Sequence, residues 1–177
     1  MTDSGFRPDS IRGLACPECG VSVSVTLFQQ QVLYQLAWGV PTAQIGRLVS
    51  DGSVPRPEDQ ERGAAAIRTV LRLLKAKGRV QAVDTACRSA LIVPPTGLRP
   101  PSDGIPEDLL RVAELLAIGM TRKEIAAHLD ISIGAVKTRF DRLYDMLGVT
   151  TGDHAVFSLH AIGILPAHHP CLCNGDR

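Results

Sequence analysis

The sequence predicts an all-α protein made of two similar helical units that are joined by a proline-rich linker. Apolar residues recur every three or four positions through long stretches of both halves, which is the spacing of amphipathic helices. The pattern of the second half is repeated, less regularly, in the first half. Five prolines lie in the segment from Val93 to Pro106. Because proline cannot continue a helix, we place the linker between the units at residues 93–104.

The second unit shows its helices most clearly between Leu110 and Val149. The periodicity predicts two short helices and one longer helix, with breaks at Gly119 and around residues 130–132. Ser132 is a suitable N-cap for the longer helix, which is expected to run from about Ile133 to Leu147. Its core stripe is spaced four, three and four residues apart and consists of Val136, Phe140, Leu143 and Leu147.

The outward face of this longer helix is typical of a DNA-reading surface. Small residues stand at its start, so the first turn can approach a duplex closely, and an α-helix fits the major groove. Lys137 and Thr138 are predicted to lie near base edges, and Arg139 and Arg142 near phosphates. Periodicity alone leaves a second interpretation open, in which the stripes serve only to pack an ordinary helical domain.

Three short motifs follow one another in this unit. An apolar first helix ends in Ala-x-Gly at 117–119, Lys-Glu-Ile-Ala occupies 123–126, and Val-Lys-Thr occupies 136–138. Over residues 105–165 the chain thereby resembles the DNA-binding domain of LuxR-type (GerE-type) bacterial transcription regulators. The resemblance implies a helix-turn-helix unit in which Lys137 and its outward neighbours face double-stranded DNA. Arg139 stands where the family commonly has His, which preserves the charge. Met146 stands where the family commonly has Lys or Arg, which weakens the expected phosphate contacts.

The resemblance also implies a last helix at about Asp153 to Ile162. In the family this helix often makes a dimer contact. The resemblance therefore implies a homodimer formed through the last helix of a unit. Asp153 and the adjacent His154 could form a functional pair. At the start of a helix, however, an aspartate is more simply interpreted as a cap.

The first unit, predicted at residues 25–92, is a degenerate copy of the second. Residues 31–39 run in step with 111–119 at an offset of 80, and Ile67-Arg68-Thr69 with Val136-Lys137-Thr138 at an offset of 69. The difference, 80 minus 69, predicts eleven extra residues before the third helix, within an inserted loop at 50–64 that is rich in glycine and proline. We interpret this loop as a tolerated surface insertion, with a wing that touches DNA or a partner as the alternative.

A basic run follows the inserted loop. It contains no acidic residue and carries six positive charges, namely Arg62, Arg68, Arg72, Lys75, Lys77 and Arg79. A basic helix in a matching position is what phosphate binding needs, although many charge runs are simply solvated faces. We predict that the first copy contacts nucleic acid through Arg68, Thr69, Arg72 and Lys75.

The cysteines suggest a structural zinc site formed by the two termini. Cys16 and Cys19 belong to a Cys-Pro-x-Cys-Gly motif that resembles half of a zinc knuckle, and Cys171 and Cys173 in the tail at 166–177 would complete four thiolates. His168 or His169 is an alternative ligand. The other interpretations are free reduced thiols and a metal site shared between chains. Cys87 lies in an apolar pattern and is expected to be a packing residue.

Composition fits a protein of two compact units preceded by an N-terminal segment at 1–24. The chain is 45% hydrophobic and 21% charged with a net charge of +1, so overall charge neither favours nor excludes DNA binding. A signal peptide and a membrane-spanning run are not apparent, which predicts a cytoplasmic protein without membrane contact.

These patterns together predict a DNA-binding transcription regulator that reads the major groove with helix-turn-helix units. The rival hypothesis is a helix-turn-helix interaction protein that binds RNA polymerase or another regulator and has only vestigial DNA reading. Asp141 and Asp145 on the second reading helix support the rival, whereas the basic run of the first copy opposes it. No phosphate-cradling loop, nucleophile elbow or paired carboxylates with suitable spacing are found in the sequence, so no enzyme is predicted.

Overall fold

A short antiparallel sheet precedes the helices in the part of the chain that the structure describes. The structure is a computed structural model, and it describes residues 10–15, 22–50 and 54–165. Strands β1 (Ser10–Arg12) and β2 (Ser24–Thr26) pair with Ile11 opposite Val25. The sequence did not predict this sheet, which is only three residues long on each side. Val25 is buried in the main core and so joins the sheet to the helices.

Eight helices make up 59% of the described residues, which confirms that the protein is mainly α-helical. They fall into two sets of four. The lengths are 11, 8, 15 and 10 residues in the first set and 11, 7, 15 and 10 in the second. The helices are α1 (Leu27–Ala37), α2 (Thr42–Val49), α3 (Asp59–Leu73), α4 (Arg79–Arg88), α5 (Glu107–Ala117), α6 (Arg122–His128), α7 (Ile133–Leu147) and α8 (Gly152–Ala161).

Local capping explains where several helices begin. Thr121 caps α6 in a capping box with Glu124, since each side chain accepts a hydrogen bond from the other residue's backbone N–H. The Ser132 hydroxyl accepts from Ala135 N at 3.0 Å, which confirms both the predicted cap and the predicted start of α7. The prediction that Asp153 caps α8 is wrong. Thr151 is the N-cap, because its hydroxyl accepts from His154 N, whereas Asp153 lies in the first turn and is buried.

The two sets of helices share one hydrophobic core. Leu36 and Val83 from the first set lie in the same buried cluster as Leu109, Val156 and Leu159 from the second. In this cluster α4 packs on α8 and α5, and α1 packs on α8. A smaller cluster lies between α5, α6 and α7.

The connecting segment 93–104 contains neither helix nor strand, as its proline content predicts. None of the helices in the described ranges is both long and apolar enough to span a membrane.

Candidate nucleic-acid interface

Helices α6 and α7 form a compact pair joined by residues 129–132. Ile125 and Ala126 on α6 are buried against Val136 and Phe140 on α7, so the two helices are fixed to one another by apolar contact. The chain reverses at Asp130, which has a φ of 52°. Aspartate tolerates this left-handed conformation better than most residues because of its short polar side chain.

One continuous face of α7 is open to solvent. Val136, Phe140 and Leu143 point into the core as predicted. The exposed residues recur on the opposite side of the helix and are Ile133, Gly134, Lys137, Thr138, Asp141, Arg142 and Asp145. Thr138 donates its hydroxyl hydrogen to Gly134 O at 3.1 Å, which fixes its rotamer within the helix. The first two turns of α7 therefore expose one isoleucine, one glycine, one lysine and one threonine.

The three basic residues predicted on α7 are not equivalent. Lys137 and Arg142 are exposed, and neither forms an ion pair with another described residue. Arg139 is only 27% exposed and donates to Asp108 in the first turn of α5, with 3.0 Å between Nε and Oδ2. Local sequence patterns could not predict this pair, because the two residues are 31 positions apart and an acid in a first helical turn is common. Arg139 is thus held by the protein itself.

A second arginine fixes α6 against α7 from the outside. The Arg122 guanidinium carbon lies 5.9 Å from the centre of the Phe140 ring, within the range of a cation–π contact. Phe140 stacks on Tyr144 at a centroid distance of 5.9 Å. Burial raises the pKa of Tyr144, so its hydroxyl stays neutral. These contacts hold the exposed face of α7 in a defined orientation relative to α6.

In the first set, the residues predicted to bind nucleic acid lie on the exposed side of α3. Arg68, Thr69 and Arg72 are exposed, and so is Lys75, which follows the helix with a φ of 50°. Thr69 donates to Ala65 O at 3.0 Å, as Thr138 does to Gly134 O.

In the structure, the alignment of α3 with α7 differs by about one helical turn from the alignment that the sequence predicts. Both helices have 15 residues, and each is followed closely by a left-handed residue, Lys75 after α3 and Gly148 after α7. The buried positions Gly63, Ile67, Val70 and Leu74 match the core stripe of α7 at an offset of 73 instead of the predicted 69. The insertion is therefore 80 minus 73, or seven residues, and not eleven.

This shift changes which residues correspond. At the offset of 73, Ala64 and Ala65 stand in place of Lys137 and Thr138, whereas Arg68 stands opposite Asp141. The cause of the mismatch is the heptad-like spacing itself, because a stripe spaced four, three and four residues apart still matches in part after a shift of one turn.

The inserted loop is also shorter than predicted. Helix α3 begins at Asp59, so the second part of the predicted loop at 50–64 is helical. Asp59 is 2% exposed and accepts a hydrogen bond from Arg56 N at 2.8 Å, which organises the start of the helix. Gly63 lies inside α3, where a Cβ atom would overlap the carbonyl oxygen of Thr42 on α2. This glycine marks a close helix crossing and not a loop.

Two members of the six-residue basic run are paired. Arg79 donates to Asp153 on α8 at 2.8 and 2.9 Å, and Arg62 lies 3.6 Å from Glu58. Arg79 also donates to the carbonyl oxygen of Val40 at 3.0 Å. Arg79 thus ties α4 to α8 and to the turn after α1. The remaining four members of the run, Arg68, Arg72, Lys75 and Lys77, are exposed.

The predicted zinc ligands Cys16, Cys19, Cys171 and Cys173 all lie outside the described residues. Among the residues that are described, no group of three or more His, Cys, Asp or Glu side chains is arranged to hold a metal ion. Cys87 packs against the main core as expected. Burial, with a smaller contribution from the charge of Asp84, raises the pKa of the Cys87 thiol far above its ordinary value, so the thiol stays protonated.

Comparison of the chain with models of known protein families, with curated proteins and with solved structures gave no match.

Proposed function

We propose that this protein is a DNA-binding transcription regulator that reads the major groove with α7. The observation that carries the proposal is the exposed face of α7, which starts with Ile133 and Gly134 and continues with Lys137 and Thr138, while the opposite face is fixed on α6. A helix held in this way by a preceding short helix is the geometry of a helix-turn-helix reader. The motif order that resembles LuxR-type regulators supports the same function.

The roles of the side chains follow from their exposure. Lys137, near the start of α7, has donors suited to the acceptor atoms of guanine in the major groove. Arg142 lies further along the exposed face and is suited to a phosphate. Arg139 is held by Asp108, so we assign it a positioning role between α5 and α7 as well as a phosphate contact.

The second candidate function is an interaction module that binds RNA polymerase or another regulator. Asp141 and Asp145 favour it, because both are exposed on the same face as Arg142 and would repel phosphates. In this alternative the face of α7 meets a protein surface of mixed charge. A predicted structural zinc ion at the cysteines is compatible with either function.

Selection from a random double-stranded DNA pool at physiological salt tests the proposal. The purified chain is expected to retain fragments that share one sequence motif. Weak, salt-sensitive retention without an enriched motif would contradict site-specific reading and would favour the protein-partner alternative.

Alanine variants then test the assigned residues. Lys137→Ala should lower the affinity for the selected motif by roughly 10-fold and relax the preference at one base position. Arg142→Ala should weaken binding to all sequences alike and reduce the salt dependence by about one counterion. Arg111→Ala is the matched control, because Arg111 is exposed on α5 and pairs only loosely with Glu114 at 3.5 Å. Unchanged binding in both α7 variants would refute the assignment.

A further inference from the structure

The two sets of helices contact each other reciprocally. Helix α1 of the first set packs on α8 of the second, and α5 of the second set packs on α4 of the first. The corresponding last helices, α4 and α8, pack on one another. In a twofold, isologous dimer, every contact between one element of the first subunit and a different element of the second is matched by the reverse contact. The two sets of helices follow this contact pattern.

Individual residues repeat the reciprocity. Gly39, after α1, lies beside Thr151 at the start of α8. Its counterpart at the offset of 80 is Gly119, after α5, which lies beside Gln81 near the start of α4. At the offset of 73 the counterpart of Gln81 is His154, whose ring meets Trp38 at 5.3 Å. Equivalent ends of equivalent helices therefore meet on both sides of the contact.

The two sets nevertheless differ at the surface where α7 would read DNA. In α3 the positions of Lys137 and Thr138 are taken by Ala64 and Ala65, which have no side-chain donor for a base edge. Three exposed cations of the first set come later. Arg68 and Arg72 lie one turn apart on the same side of α3, and Lys75 follows the end of the helix.

We infer that a single chain is the complete DNA-binding unit and that its two half-sites are unequal. The first set takes the place that a second subunit would occupy, α7 reads the bases of one half-site, and Arg68, Arg72 and Lys75 bind phosphates of the other without reading its sequence. The inference rests on the proposed function. A twofold protein binds a duplex with its axis on a local twofold of the DNA, so α3 lies against the duplex in the half-site opposite that of α7.

This arrangement leaves no role for the predicted homodimer through the last helix. The buried side of α8 includes Val156, Phe157 and Leu159, and α8 packs on α4 of the same chain. The contact that a second subunit would supply is already made within one chain.

The test uses the full chain with a duplex that carries the selected motif and extends on both sides of it. Sedimentation equilibrium measures how many chains bind one duplex, and binding across a salt series measures affinity. We expect one chain per duplex and a motif that specifies bases on one side only. The triple variant R68A/R72A/K75A should lose roughly 10- to 100-fold in affinity for every sequence, with a salt slope lower by about 2 to 3, while keeping the same motif.

The matched control is R12A/R99A/R111A, which also removes three exposed cations but none on α3 or α7. It should bind with at most a small loss. Two chains per duplex with a symmetric two-part motif, or an unchanged affinity in the α3 variant, would overturn the inference and leave the reading by α7 intact. Failure of the unmodified chain to select any motif would instead overturn the proposed function and, with it, this inference.

Discussion

At the scale of single residues, Arg79 joins three parts of the fold, because it lies on α4 and donates to Asp153 on α8 and to the carbonyl oxygen of Val40. Arg79 belongs to a run without acidic neighbours, so the sequence predicts a solvated or phosphate-binding cation. In the fold it is 31% exposed and is bound to Asp153, which is 74 positions away. Such pairs depend on how the helices pack and leave no trace in local spacing. The same holds for Arg139 and Asp108.

The Arg79 to Asp153 pair should contribute measurably to stability. Asp153→Ala removes the carboxylate and leaves the partly buried Arg79 guanidinium without its ion-pair partner, so the free energy of unfolding should fall by about 2 kcal/mol in urea denaturation. Glu58→Ala is the control, because it breaks the Arg62 pair, whose side chains are 40% and 47% exposed, and should cost less than about 0.5 kcal/mol. Equal losses in the two variants would contradict the assigned role of Asp153.

At the scale of elements, a cap and an apolar stripe predicted α7 from about Ile133 to Leu147, because Ser132 and the core stripe agree with one another. The prediction for α3 failed at its start. Glycine and proline indicated a loop up to residue 64, but Gly63 is needed where two helix backbones meet, and no local rule distinguishes that use from a turn. Only the tertiary packing against α2 separates the two interpretations.

The close crossing of α2 and α3 should tolerate no side chain at Gly63. In Gly63→Ala the added methyl group would overlap the Thr42 backbone, so α2 and α3 must move apart and the free energy of unfolding should fall by roughly 2 to 3 kcal/mol. Gly134→Ala is the control. A Cβ atom there would meet only the Ser132 hydroxyl at 3.7 Å, and stability should be unchanged or slightly raised. A stable Gly63→Ala variant, measured by thermal unfolding, would show that the crossing is loose.

At the scale of the whole molecule, the repeat predicted two units but not their relation. The apolar stripes on α4 and α8 indicate burial, yet nothing in their spacing states that the two helices bury each other. The result is one core to which both halves contribute, including Leu36, Val83, Leu109 and Val156. Because each half covers apolar surface of the other, neither half has a complete core alone.

This shared core predicts that the chain unfolds in one cooperative step. Separation of the halves would expose the buried sides of α4 and α8 together, so partial unfolding of one half removes contacts that stabilise the other. Calorimetry should therefore give a single transition whose van't Hoff and calorimetric enthalpies agree. Proteolysis at a cleavage site engineered into the segment 93–104, which has no helix or strand, should leave the two fragments associated in gel filtration. Two resolved transitions, or fragments that separate and keep their helicity, would show instead that the halves are independent domains.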